Sequence, residues 1–202
     1  MPTLTETPKL RLERKATELF RERGYAATTM RDLARRVGVE AASLYAHVRS
    51  KEELLRKICF DMADRFFAAL DTAEAPGLAP AEQLRRYVTA HVSVITGHPA
   101  PAAVFLHEWR HLSEPSLTDF RALRDRYEER FRAVITAGVE AGAFRAVDPK
   151  FTTLTVLSAL NWTYQWYRPD GAMSSEQIAA QLYDLLLRGL KEDGSRKTED
   201  GA

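Results

Sequence analysis

Between residues 107 and 111 the chain reads HEWRH, two histidines four positions apart with a carboxylate after the first. On a helix that spacing stacks both imidazoles on one face with the glutamate beside them, the arrangement with which zinc hydrolases hold a metal and activate water. A zinc hydrolase using His107, Glu108 and His111 is therefore one reading to weigh. It needs a third protein ligand. The extended motif places Gly third and His sixth after the second histidine, where this chain has Glu114 and Leu117. Glu128 and Glu129 are the downstream alternatives, and Arg110 would bring a cation within a turn of the metal and oppose its binding. A simpler account puts Phe105, Trp109 and Leu112 on one face of an amphipathic helix and the two histidines on the other. The expectation is no enzyme, no catalytic residue and no metal.

Other chemistries are thinly represented. Cys59 is the one cysteine, which excludes an intrachain disulfide or a cysteine-based zinc site. There is no glycine-rich phosphate loop and no nucleophile elbow. No apolar run approaches the roughly 20 residues that cross a bilayer, so a cytoplasmic protein without a membrane partner is expected. The net charge of +1 conceals an asymmetry: residues 1–60 carry 13 Lys and Arg against 8 Asp and Glu, residues 61–202 carry 16 against 20. A basic head on a mildly acidic body suggests a polyanionic partner for the head.

The elements that must position these residues read as all-α. Leu12, Ala16, Leu19 and Phe20 form a helical stripe ending at Gly24, which predicts a helix from about Pro8 to Arg23. Thr29 with Asp32 has the form of a capping box, opening a short helix that Gly38 breaks. A second short helix, about Ala41 to Ala46, turns Leu44 inward, and Ser50 with Glu53 forms another capping box before a fourth helix. Two short helices joined at a glycine behind a long bracing one make a helix-turn-helix. Ala41, Ala42 and Ser43 keep the second helix thin enough to approach a groove, and Tyr45, His47 and Lys51 bring donors for phosphate oxygens.

The stretch TTMRDLARRVGVEAASLYAHVRSKEELL, with Gly24-Tyr25 before it, resembles the DNA-binding segment of the TetR family of bacterial repressors over about residues 10–57. The resemblance implies that Thr28, Thr29, Tyr45, His47 and Lys51 hold the DNA backbone, and that Arg31 and residues 40–43, Ala41, Ala42 and Ser43 among them, face base edges. The chain departs from the family pattern at Glu40, where a capping serine is usual, and at Val48, where a phenylalanine usually packs.

Beyond Cys59, breakers at 75–80, 97–101, 113–115, 147–149 and 168–171 separate predicted helices near 52–73, 80–96, 101–112, 116–142, 149–167 and 174–191. With three in front, that makes about nine, the number the resemblance implies. It also implies that the last two helices form a four-helix dimer interface, here Leu157 and Asn161 on one and Leu182, Leu185 and Leu186 on the other. A homodimer can set two recognition helices in successive major grooves.

The second half is rich in aromatic residues and, between Arg110 and Arg132, in arginines. FLHEWRHLSEP together with LNWTYQWYRPDGAMSSEQIA resembles the members of the family that respond to acyl-coenzyme A thioesters and repress fatty-acid, aromatic-acid or sterol degradation. On that resemblance Phe105, Trp109, Tyr127, Trp162 and Trp166 line an apolar acyl site, with Arg110 and Arg124 for the coenzyme phosphates. The expected protein is a homodimeric repressor with a helix-turn-helix domain at 1–58, a ligand-binding and dimerisation domain at 59–192 and a disordered tail at 193–202. Its partners are a double-stranded operator and a small effector that releases it, with no cofactor. A repressor of a drug-efflux operon sensing a hydrophobic drug is the alternative.

Overall fold

The computed structural model describes residues 7–190, so the tail expected at 193–202 lies outside the described residues. Ten α-helical segments and one 3₁₀ turn are found among them, with no strand. They are α1 (Pro8–Arg23), α2 (Met30–Val37), α3 (Ala41–Tyr45), α4 (Lys51–Ala73), α5 (Pro80–Gly97), α6 (Pro99–His107), the 3₁₀ turn Trp109–His111, α7 (Ser116–Glu140), α8 (Pro149–Asn161), α9 (Thr163–Trp166) and α10 (Ser175–Leu190). The single turn α9 continues α8 past a break at Trp162. Counted together they make nine helices among the described residues, all-α as expected. None is long and apolar enough to cross a membrane.

The chain packs as two compact units. Among the described residues, one comprises 7–65 together with His98–Arg124; the other comprises Phe66–Gly97 and 125–190. Long helices cause the interleaving, because α4 gives residues 51–65 to the first unit and 66–73 to the second.

In the first unit the expected stripe of α1 is the core: Leu12, Ala16, Leu19 and Phe20 are each at most 2% exposed. They meet Leu33, Ala34 and Val37 of α2, Leu44 of α3, and Leu54, Leu55 and Ile58 of α4. Local chemistry sets the ends of these helices. Thr7 caps α1, the Thr29–Asp32 capping box closes in both directions at α2, and Gly38 takes the left-handed conformation at φ 81° that stops it. Val48 is buried in the core. Glu40 stands at the N-cap of α3 and makes no side-chain cap bond. The box expected at α4 is shifted: Ser50 Oγ accepts from the Glu53 N–H, but the Glu53 carboxylate reaches back to the Arg49 N–H.

The second unit packs α10 along α5 in opposite directions, pinned by Tyr183 Oη to the Ala81 carbonyl at 2.8 Å and by Thr96 to Ser175 at 2.7 Å. Its core runs through Leu70, Leu84, Val88, Phe131, Val156 and Ile178. Arg130 ties α7 to α4 and α5, donating to Asp71, Glu74 and the Tyr87 hydroxyl. At Gly138 a Cβ would lie 2.1 Å from the Phe144 ring, so only glycine admits that ring.

The helix expected over 101–112 stops at His107. Glu108 ends it, and the chain tightens into the 3₁₀ turn before Leu112 becomes extended. The predicted helix face therefore does not continue through HEWRH.

Candidate nucleic-acid interface and effector core

The helix-turn-helix presents its polar tips as a set. Thr29, Arg31, Ala42, Ser43, Tyr45 and His47 are all exposed, with Ala41 half-buried beside them. They stand on a buried footing of Leu44, 1% exposed, and Val48, 4%. Tyr45 is 55% exposed, an aromatic donor held out from a five-residue helix. Arg35 adds a cation from α2, its side chain 81% exposed.

Two residues expected at the DNA are occupied elsewhere. Thr28 has no exposed surface, and its hydroxyl donates to the Gly24 carbonyl at 2.8 Å, so it closes the α1–α2 loop and cannot reach a phosphate. The Lys51 ammonium donates to the carbonyls of Tyr25 and Thr28, each at 2.9 Å, and lies 4.2 Å from the centre of the Tyr25 ring. Its charge pins the same loop from α4.

HEWRH works on that loop too. The Glu108 carboxylate accepts the backbone N–H of Tyr25 at 3.2 Å, and His111 Nε2 stands 3.5 Å from the same oxygen. The His111 ring stacks on the Tyr25 ring with centroids 5.3 Å apart. Tyr25 is thus held by its backbone from Glu108, on its ring by His111 and Lys51, and edge-on by Phe20. His107 is exposed at the end of α6. Among the described residues no group of three His, Cys, Asp or Glu side chains is placed to hold a metal. The zinc-hydrolase reading fails on this geometry, since the motif's glutamate and second histidine serve as a clamp.

The seven residues expected to bind an effector are divided between the two units. Phe105 and Trp109 pack with Phe120 in the first unit, at ring separations of 5.3 and 5.7 Å. Arg110 and Arg124 stack on the Trp109 ring at 4.7 and 4.5 Å. Trp109 is 8% exposed and belongs to that unit's core. Tyr127 belongs to the second unit, and Trp162 and Trp166 are 60% and 40% exposed. The residues expected at a dimer interface lie on α8 and α10, with Leu185 70% exposed and Leu157, Asn161, Leu182 and Leu186 half-buried. Phe151 and Leu154 extend that apolar surface along α8.

Sequence reasoning passed over one residue in the interior of the second unit. His91 lies there, 3% exposed, with Nδ1 3.0 Å from the Tyr127 hydroxyl. Burial pushes its pKa down to about 4, and burial raises Tyr127 well above the usual tyrosine range. The signal was present, because His91 interrupts a stripe of apolar residues on α5 (Leu84, Tyr87, Val88, Val92 and Ile95) at helical spacing. Burial also pushes the Cys59 thiol up to about 12 and leaves it unreactive.

The arrangement agrees with the relatives of this chain. Residues 14–58 match the family described as bacterial regulatory proteins, tetR family, and residues 77–190 match the tetracyclin repressor-like C-terminal domain. The chain is 32% identical over 177 residues to the HTH-type transcriptional repressor KstR2 of Rhodococcus jostii, covering 87% of each protein. The structure of the ketosteroid transcriptional regulator KstR2 of Mycobacterium tuberculosis superposes with a TM-score of 0.86 at 27% identity, covering 94% of this chain and 97% of that one. That of AibR in complex with isovaleryl coenzyme A and operator DNA superposes with a TM-score of 0.79 at 27% identity, covering 90% of this chain and 98% of that one. These relatives are transcriptional regulators and not enzymes. With both family segments matched and the helix-turn-helix intact, the chain belongs to the TetR family of transcriptional repressors.

Proposed function

We propose that the protein represses transcription as a cytoplasmic homodimer on a two-fold symmetric operator and is released by an acyl-coenzyme A thioester. The observation that carries this reading is the likeness to AibR: it covers 90% of this chain, and that structure holds isovaleryl coenzyme A and operator DNA together. Within each protomer, Thr29, Arg31, Ser43, Tyr45 and His47 contact the operator, Tyr45 and His47 at phosphates and Ala41 to Ser43 close to the bases. The acyl group enters the aromatic interior of the second unit around Tyr127. Exposed apolar side chains of α8 (Phe151, Leu154), of the break that follows it (Trp162) and of α10 (Leu185) form the dimer face. Effector binding favours a dimer state whose two recognition helices no longer match successive major grooves.

The test is a fluorescence-anisotropy titration of the protein on the DNA upstream of its own gene, repeated with isovaleryl-, octanoyl- and benzoyl-coenzyme A, the matching free acids, and cationic drugs. Release by a thioester but not by its acid supports the reading. Release only by drugs replaces the effector with a hydrophobic drug and the target with an efflux operon.

A further inference from the structure

Among the described residues of the second unit, two buried side-chain polar atoms make no hydrogen bond. His91 sits among Phe66, Tyr127 and Phe131, with ring centroids 4.8, 5.8 and 6.2 Å away. Its Nδ1 is engaged by the Tyr127 hydroxyl at 3.0 Å, and its Nε2, fully buried, has no hydrogen-bond partner. Thr163 Oγ1 is likewise buried and unpartnered, on a residue with no exposed surface. Thr163 opens α9, which packs on α5, the helix of His91. Asn161, two residues earlier, comes near enough to the imidazole to favour its protonated form but makes no hydrogen bond with Nε2. Both unpaired atoms thus belong to the junction of α5, α8 and α9.

Buried polar atoms are nearly always paired, because an unpaired one loses its water and gains nothing. Two at one junction point to a partner the chain does not supply. The Tyr127 pair indicates what that partner offers. If the phenol donates to Nδ1, its hydrogen is satisfied and the ring carries its own on Nε2; the opposite tautomer leaves a buried phenol hydrogen without an acceptor. Nε2 is then an N–H donor waiting for an oxygen, and the Thr163 hydroxyl is a second.

We propose that His91 Nε2–H and the Thr163 hydroxyl together hold the carbonyl oxygen of the effector's acyl group, so that this site recognises an uncharged C=O. The proposal rests on the acyl-coenzyme A reading and sharpens it: the site takes the thioester and rejects the free acid. A carboxylate would shed its hydration here without meeting a cation, since burial keeps the imidazole neutral at pH 7 and Arg130 is committed to Asp71, Glu74 and Tyr87. A thioester carbonyl carries no charge to desolvate and accepts the two hydrogens on offer. Phe66 and Phe131 meet the carbons beside it.

The experiment is calorimetric titration of the full chain with octanoyl- and isovaleryl-coenzyme A, with the S-octyl and S-isoamyl thioethers of coenzyme A, which keep the chain and lose the carbonyl, and with octanoate and isovalerate. The expected result is a thioether weaker than its thioester by roughly tenfold or more, with neither acid binding. In His91→Leu the thioester falls to the level of the thioether and their ratio approaches one. Thr163→Val, which keeps the side-chain shape, lowers the ratio in the same direction and serves if His91→Leu does not fold. Equal binding of thioester and thioether by the wild-type protein, or acid binding as tight as thioester, overturns the carbonyl anchor and leaves the acyl-coenzyme A reading standing. Binding of neither coenzyme A compound overturns that reading, and the anchor with it.

Discussion

At the scale of single residues, Tyr45 and Lys51 separate a proposed DNA contact from a residue that holds the loop behind it. Tyr45 is exposed on a buried footing, so Tyr45→Ala should weaken operator binding roughly tenfold while changing stability by no more than about 0.5 kcal/mol. Lys51 spends its hydrogen bonds on the carbonyls of Tyr25 and Thr28. Lys51→Ala should therefore cost about 1–2 kcal/mol of stability, a discounted value for a part-buried charge bonded to carbonyls. It should also leave the salt dependence of binding nearly unchanged. A phosphate contact through Lys51 would instead lower the slope of log K against log salt by about 0.9, which an anisotropy titration from 50 to 200 mM salt resolves. His91 makes a prediction of another kind. Its folded pKa of about 4 lies below its ordinary 6.5, so the unfolded chain binds the extra proton between those values and stability rises with pH across that window. Denaturant unfolding should show roughly 3 kcal/mol lost from pH 7 to pH 4 through this group. His91→Leu should flatten that part of the profile.

Among the elements, what could be read from the sequence divides by range. Helices α1 to α3 were legible because their signals act within a few residues: the Thr29–Asp32 box, the glycine at φ 81°, and the stripe from Leu12 to Phe20. The end of α6 at His107 was not legible, because the apolar spacing of Phe105, Trp109 and Leu112 runs on undisturbed. What uses the break is the bond from Glu108 to Tyr25, 83 positions away in sequence. His91 could be noticed as a break in the apolar stripe of α5, but its pairing with Tyr127, 36 positions on, could not. Thr28 and Lys51 match the family pattern by type, yet only packing shows that both face the loop. The clamp has a measurable consequence. Glu108→Ala removes the acceptor of the Tyr25 N–H and the partner of His111, so amide exchange across 24–29 should speed up and operator affinity should fall although no DNA-facing side chain has changed. Zinc or a chelator should leave the melting temperature of the wild-type protein where it was. A rise of several degrees with stoichiometric zinc would restore HEWRH as a metal motif.

For the whole molecule, the proposed repression depends on a second copy. A helix as short as α3 offers few base contacts, and a single protomer cannot span two major grooves. Phe151 and Leu154 on α8, Trp162 at its end and Leu185 on α10 keep between 45% and 72% of their surface exposed, a concentration of large apolar groups uncommon on a monomer. Covering them in a two-fold interface removes that surface from water, and each buried aromatic or leucine stabilises the dimer by about 1.5–3 kcal/mol. Two carboxylates placed there, Phe151→Glu with Leu185→Glu, would meet their symmetry mates in a closing interface and lose their hydration, so the variant should be monomeric by sedimentation velocity at micromolar concentration. The same side chains are mostly exposed in the protomer, so its helical circular dichroism should be unchanged. Operator affinity should then drop by two orders of magnitude or more toward that of a half-site, because the second recognition helix is no longer held at a fixed spacing. A variant that stays dimeric would move the interface off this face. One that is monomeric yet binds the full operator like the wild-type protein would remove the dimer from the mechanism of repression.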